Sequence, residues 1–251
     1  MSGHNKWSSI KHKKAAVDAK RGRIFTRLIR EIVMAAREGG GDINGNSRLR
    51  NAVAAARAAN MPSKNIENAI KKGTGELEGE EIVEVTYEGY GPGGVAIIVN
   101  TQTDNSNRTT AEVRHAFSKH NGNLGNVGCV SFLFDRKGII EVDAATTTEE
   151  KLMEVGLEAG AEDITQDGDS FTVTTDPKDF SAVNDALAKA GIAVTSAEVR
   201  LIPQTTTRVE GRQAEQCLKL IQHLEELDDV SSVAANFEVD DDVMERVMAA
   251  A

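Results

Sequence analysis

Lys71-Lys72-Gly73-Thr74-Gly75-Glu76-Leu77-Glu78-Gly79-Glu80-Glu81-Ile82-Val83-Glu84-Val85-Thr86-Tyr87 is the stretch at which this chain changes character. Through Lys72 the chain carries 16 Lys/Arg against 5 Asp/Glu, a net of +11. From Gly73 onward it carries 13 Lys/Arg against 34 Asp/Glu, a net of −21, so the overall −10 hides two regions of opposite sign. The hydrophobic period changes at the same place. Before it, apolar residues recur with the 3.6 period of a helix; after it, Ile82 to Tyr87 alternates as a strand. Two independent signals agree on one position, so Gly73 to Glu81 is a linker between domains.

On the basic side, Arg21 to Glu38 reads as an amphipathic helix. Ile24, Phe25, Leu28, Ile29, Ile32 and Val33 form its apolar stripe, with Arg23, Arg27, Arg30 and Arg37 near the opposite face. Gly39-Gly40-Gly41 stops it. A second helix runs from about Ser47 to Ala59, with Arg50 and Arg57 seven residues apart and therefore on one face. Asn60-Met61-Pro62-Ser63 breaks the chain, and Ser63 is the expected N-cap of a short third helix ending at Lys72. Upstream lies a polar tail holding Trp7.

On the acidic side, Ile82–Tyr87 and Val95–Val99 read as strands joined by a glycine-rich turn, followed by a helix from Arg108 to His120 and a strand from Cys129 to Phe134. From Gly138 to Arg200 the order is strand, helix, strand, strand, helix, strand, the ferredoxin-like βαββαβ pattern. A helix from Gly211 to Leu227 and a strand from Val230 to Phe237 follow, then an acidic helix or tail. The first strand-rich unit lacks the elements that this last αβ pair would supply, and an αβ pair alone cannot bury its apolar faces. The expected fold is therefore α+β and multi-domain. A small all-helical domain (1–75) precedes a discontinuous α/β sandwich (80–135 with 205–240), into which a ferredoxin-like domain (136–202) is inserted.

Several classes of chemistry find no support. Gly89-Tyr90-Gly91-Pro92-Gly93-Gly94 has the letters of a dinucleotide fingerprint, but strands flank it on both sides and Pro92 interrupts it, so it reads as a hairpin turn. His115 and His120 are five apart, off the i, i+4 spacing that aligns metal ligands on a helix. No metal, no cofactor and no catalytic residue is expected, and the chain reads as non-enzymatic. No apolar run is long enough to span a membrane. Cys129 and Cys217 read as free thiols in a reducing compartment, which places the chain in the cytoplasm.

A basic domain on an acidic body points to a polyanionic partner. The residues expected to contact nucleic acid are Lys6, Trp7, Lys11, His12, Lys13, Lys14, Lys20, Arg21, Arg23, Arg27, Arg30, Arg50, Arg57, Lys71 and Lys72. The cations would take phosphates, and Trp7 would either stack on an unpaired base or dock the tail onto the helices. A second expected anion contact is Asn107, Arg108 and Arg114 near the start of the Arg108–His120 helix, where free N–H groups favour negative charge; there Asn107 or Thr109 would serve as the helix cap.

Long uncommon motifs support a resemblance over essentially the whole chain. They include Gly3-His4 with Lys6-Trp7, Ile10-Lys11-His12-Lys13-Lys14-Ala15, Asp18-Ala19-Lys20-Arg21-Gly22 and Phe25-Thr26-Arg27-Leu28-Ile29-Arg30-Glu31-Ile32. Asn60-Met61-Pro62, Tyr87-Glu88-Gly89-Tyr90-Gly91-Pro92-Gly93-Gly94, Asn107-Arg108-Thr109, Leu124-Gly125 and Glu225-Glu226-Leu227-Asp228-Asp229-Val230 continue it. On these residues the chain resembles the YebC family. Ser106 stands where that pattern has arginine, which weakens the expected anion contact.

The resemblance implies a helical N-terminal domain and two α/β domains, one inserted in the other, around a central cavity, with no enzyme activity. Members are described as transcriptional regulators, some binding promoter DNA. A mitochondrial relative is a translational activator of cytochrome oxidase subunit I, and bacterial relatives are linked to ribosomes stalled on proline-rich sequences. The favoured expectation is a monomeric, ribosome-associated translation factor that contacts ribosomal RNA. The alternatives are a promoter-binding transcription regulator, whose base-reading helix at Ser63–Lys72 offers a thin set of side chains, and an acidic scaffold for a basic protein.

Overall fold

The computed structural model describes Trp7, residues 18–79 and residues 81–249. The chain forms two compact units: one reaches Leu133 and resumes at Thr205, and the other is Phe134–Gln204.

Three helices open the first unit: α1 (Asp18–Gly39), α2 (Ser47–Ala58) and α3 (Ser63–Gly73). Their core is Ile32, Val33, Ala35 and Ala36 of α1, Leu49, Ala52, Val53 and Ala56 of α2, Met61, and Ile66 and Ala69 of α3. The small residues on α1 let α3 approach closely. A Cβ added at Gly73 would lie 2.5 Å from the Val33 carbonyl oxygen and 2.6 Å from Ala36 Cβ. Asn46 joins two helices: its Oδ1 accepts from Leu49 N at 3.0 Å as the cap of α2, while its Nδ2 donates to Ala35 O at 2.7 Å near the end of α1. Ser63 is not the cap of α3. Pro62 occupies that position with no side-chain hydrogen bond.

The α/β part of this unit is built on β1 (Val83–Tyr90) and β2 (Ala96–Thr103), an antiparallel hairpin in register from Val83↔Thr103 to Tyr90↔Ala96. Gly93 and Gly94 in the turn have φ of 76° and 80°, the left-handed region that glycine enters without strain. After α4 (Ser106–Lys119), β3 (Asn123–Leu124) pairs with β1. The expected strand over Cys129–Phe134 is absent: residues 131–133 form a 3₁₀ turn instead. The reason is Glu88. Its buried carboxylate accepts the N–H groups of Gly128 (2.8 Å), Val130 (2.8 Å) and Ser131 (2.9 Å), so these donors are not available to a strand ladder.

The chain leaves this unit after Leu133. The second unit contains β4 (Phe134–Asp143), α5 (Glu149–Glu158), β5 (Ala161–Asp167), β6 (Ser170–Thr175), α6 (Phe180–Lys189) and β7 (Val194–Pro203). Its strands pair antiparallel in the order β5-β6-β4-β7, the ferredoxin-like arrangement, over a core that includes Ile140, Leu152, Phe171, Val173, Val183 and Leu187.

On return, β8 (Thr207–Arg208) leads to α7 (Gly211–Glu226), β9 (Val230–Ala235), β10 (Phe237–Glu238) and α8 (Asp241–Ala249). β9 pairs antiparallel with β2, completing a sheet in the order β3-β1-β2-β9. The fold is thus α+β, with a helical N-terminal domain and two α/β domains, one inserted in the other. Residues 95, 97 and 99 alternate onto one sheet face and pack with Val113 and Phe117 of α4 and with Leu218, Ile221 and Leu224 of α7. Cys217 lies in the same core, its thiol pushed up to about 12 by burial.

Candidate nucleic-acid interface

Trp7 is 2 % exposed and belongs to the core of the α/β part, with its indole Nε1 donating to Glu225 Oε2 at 3.5 Å. Of the two roles open to it, docking is the one observed, and a buried ring is not presented to a base. Lys6, Lys11, His12, Lys13 and Lys14 lie outside the described residues, as do the side chains of Lys20 and Arg21.

Arg23, Arg27 and Arg30, expected to contact nucleic acid, sit on successive turns of α1, are half-buried, and each donates to carbonyls of the chain itself. Arg23 Nη1 donates to Glu226 O at 3.2 Å. Arg27 Nη2 donates to the carbonyl oxygens of Glu225 and of Leu227, the latter at 3.2 Å. Arg30 Nη1 donates to Asp228 O at 2.8 Å. Glu225 and Glu226 carry the last carbonyls of α7, which have no partner inside the helix and bear its negative dipole end; Leu227 is its C-cap and Asp228 follows. The arginines spaced 3 and 4 apart on α1 therefore cap α7. Burial pulls the Arg27 guanidinium below its ordinary value, against the opposing charge of Glu225. Replacing Arg23, Arg27 and Arg30 together by Glu is expected to detach α1 from α7, read as a red shift of Trp7 emission, rather than to leave the fold intact.

Asp229 lies beneath this cap and is 2 % exposed. Its Oδ1 pairs with Arg30 Nη2 at 2.9 Å. Its Oδ2 accepts from Arg108 Nη2 (2.7 Å), Thr109 Oγ1 (2.7 Å) and Thr103 Oγ1 (3.1 Å). Burial by itself would raise this carboxyl. The hydrogen bonds from Arg108 and Thr109 and the charges of Arg30 and Arg108 outweigh burial and hold it below its ordinary value. One carboxylate thus ties together α1, α4 and the segment between α7 and β9. Arg48 of α2 does similar work nearby, bonding Glu31 of α1 (2.7 Å), Glu38 (2.6 Å) and Glu84 of β1 (2.6 Å). The bond to Glu31, foremost, raises its guanidinium above the ordinary value.

The expected anion contact near the start of α4 is not assembled. The cap is Asn105, whose Oδ1 accepts from Arg108 N at 3.1 Å, rather than Asn107 or Thr109. Arg108 is held by Asp104 (2.8 Å) as well as Asp229, and its guanidinium is raised by them. Asn107 and Arg114 are exposed and do not line the neighbouring cleft. That cleft, of about 460 Å³, is lined by Arg30, Asp104, Arg108, Glu112, Glu226, Leu227, Asp228 and Asp229. Five carboxylates against two guanidinium groups give it a field that repels anions.

Positive charge without an internal partner lies on α2 and α3. Arg57, Lys64, Lys71 and Lys72 are exposed and make no ion pair or side-chain hydrogen bond among the described residues. Lys64 and Lys71 are seven apart and share one face of α3. Arg50 is exposed but anchored, donating to Asn44 O at 2.8 Å and Ile43 O at 3.3 Å. Sequence reasoning missed Asp229 and Arg48, and it met Lys64 only as one of the thin set of side chains on the Ser63–Lys72 helix. It also missed a histidine pair: His120 Nε2 and His223 Nδ1 lie 3.1 Å apart although 103 residues separate them. Among the described residues no group of three or more His, Cys, Asp or Glu is placed to hold a metal ion, and no helix is long and apolar enough to cross a membrane.

Residues 5–76 match the family model described as the TACO1/YebC protein N-terminal domain, and residues 82–237 match the TACO1/YebC second and third domain. A probable transcriptional regulatory protein of Desulforapulum autotrophicum is 58 % identical over 243 residues, covering 97 % of this chain and 98 % of that protein. One from Geobacter sulfurreducens is 56 % identical over 248 residues, covering 99 % and 100 %. Among solved structures, a conserved hypothetical protein of Aquifex aeolicus superposes with a TM-score of 0.84 at 52 % identity, covering 92 % of this chain and 96 % of that one. With both parts of the sequence matched and whole-length relatives at this identity, the chain belongs to the TACO1/YebC family.

Proposed function

We propose that the chain is a non-enzymatic, nucleic-acid-binding regulator of gene expression in the cytoplasm, with ribosomal RNA as its favoured target. The observation that carries this reading is the set of exposed cations Arg57, Lys64, Lys71 and Lys72 on α2 and α3, without an ion pair or side-chain hydrogen bond among the described residues, in a chain whose overall net charge is −10. The names of the relatives support a role in regulating gene expression. Lysines and one arginine on short helices suit phosphate contact, which supplies affinity without reading sequence. Promoter DNA is the second reading, favoured by those same names. Against it, α3 has 11 residues and offers Lys64, Asn65, Asn68 and Lys71 for base edges.

The test combines binding and capture. Four phosphate contacts predict log affinity for a structured RNA falling against log salt with a slope of about −3.6. Replacing Arg57, Lys64, Lys71 and Lys72 together by Glu is expected to weaken binding on the order of 100-fold. Affinity that ignores both salt and this variant would sink the reading. Crosslinking in cells, followed by sequencing of the attached nucleic acid, separates the two targets by whether ribosomal RNA or promoter DNA is recovered.

A further inference from the structure

α4 and α7 pack against one another and carry cationic side chains at matching intervals. His115 and Lys119 are one turn apart on α4, and Lys219 and His223 are one turn apart on α7. His120, immediately after α4, reaches His223 with its Nε2 3.1 Å from His223 Nδ1. The His120 and His223 rings meet edge to face at 5.2 Å between centroids, and His115 stands at 6.3 Å from His223 in the same orientation. His115, Lys119 and Lys219 are exposed, and the two bonded histidines are half-buried.

The cluster is anomalous in its setting. From Gly73 onward the chain has a net charge of −21, yet the principal charges acting on His120 come from His223, Lys119, Lys219 and His115. Those acting on His223 are Lys119, His115 and the single carboxylate of Glu226. Lys119 and His120 at the end of α4 are accounted for by the helix dipole. His115 and Lys219 are in mid-helix, where no dipole end needs neutralising, and like charges collected on one face cost stability when no anion answers them. The arrangement collects two lysines and three imidazole rings on one face, the form of an anion site.

We infer that His115, Lys119, His120, Lys219 and His223 form a second nucleic-acid contact, on the α/β part of the first unit, which grips the phosphate backbone independently of α2 and α3. The inference rests on the nucleic-acid reading above. Burial, and then the neighbouring cations, hold His120 and His223 below their ordinary value, which favours the neutral pair in the free chain. A phosphate seated on the cluster would favour one imidazolium in the pair, its N–H donating to the other ring, so binding takes up a proton and tightens as pH falls toward 6.

The full chain is titrated into a fluorescein-labelled 20-nucleotide poly(U) strand by anisotropy. Changing Lys119→Gln and Lys219→Gln together is expected to weaken binding about tenfold and to make the salt slope shallower by about 1.4, two single-strand phosphate contacts. Wild-type affinity is expected to rise between pH 7.5 and 6.0, and His120→Gln with His223→Gln to abolish that rise. Circular dichroism spectra matching wild type show that the variants fold. If the lysine variant keeps wild-type affinity and slope while the Arg57, Lys64, Lys71, Lys72 variant loses binding, this second contact is refuted and the nucleic-acid reading survives. If the wild-type chain binds neither this strand nor a structured RNA at any salt, both fall together.

Discussion

Asp229→Ala is expected to destabilise the first unit by about 2–4 kcal/mol, because a buried, charged acceptor of several hydrogen bonds is removed. Arg30 would lose its carboxylate partner at 2.9 Å, and Arg108 would lose one of its two, at 2.7 Å, keeping Asp104. Thr109, fully buried, would lose its shortest hydroxyl contact, at 2.7 Å, and fall back on Asn105 O and Thr103 Oγ1, while Thr103 Oγ1 would lose the same carboxylate oxygen. Trp7 is the sole tryptophan and lies in the core of this unit, so its emission during urea denaturation reports the unit directly. A change below about 1 kcal/mol would mean that the pairs behave as surface pairs do. Asp229→Asn is the companion variant: it keeps shape and one acceptor but drops the charge.

The pH dependence follows from the same contacts. Asp229 in the folded chain titrates below its ordinary value of 3.8. The unfolded chain therefore binds the proton first as pH falls. The stability contributed by Asp229 is complete above about pH 4–5 and disappears as pH drops through the lower folded value. In Asp229→Asn this part of the acid limb should be missing.

Glu88→Ala is the second large effect, about 2–4 kcal/mol, because three backbone donors are left without an acceptor in a site where Glu88 itself is 3 % exposed. Burial alone would raise the Glu88 carboxyl above 4.5; the N–H groups of Val130, Gly128 and Ser131 outweigh it and hold it lower. The loop they organise holds Val127 and Phe132 out to solvent, 84 % and 66 % exposed. Amide hydrogen exchange at Gly128, Val130 and Ser131 should accelerate in the variant well beyond exchange in α5 and α6 of the other unit. Equal acceleration in both units would show that the carboxylate has no local role.

What could be read from the sequence divides along one physical line. Helices α1, α2 and α3, the hairpin of β1 and β2, and the βαββαβ run were all legible because side-chain periodicity and turn chemistry are local. The final αβ pair was assignable to the first sheet because its apolar faces needed a partner. The strand expected over Cys129–Phe134 failed for the opposite reason: Glu88, some forty residues away, takes its donors. Capping by Asn105 rather than Asn107 was a local matter of one helical turn, and the polar run before α4 offered several equivalent caps.

The charge reading shows the same division more sharply. Sequence by itself determined that positive charge is concentrated before Gly73 and that Arg23, Arg27 and Arg30 line up along one helix, since both follow from composition and a 3.6 period. Only the tertiary structure decided which charges remain available. The three arginines close on carbonyls about 200 residues away, at and just past the end of α7, while Arg57, Lys64, Lys71 and Lys72 have no such partner among the described residues. Tertiary structure likewise brought His120 to His223. A guanidinium finds the helix terminus or carboxylate that folding places beside it, and no periodicity in its own neighbourhood records that encounter.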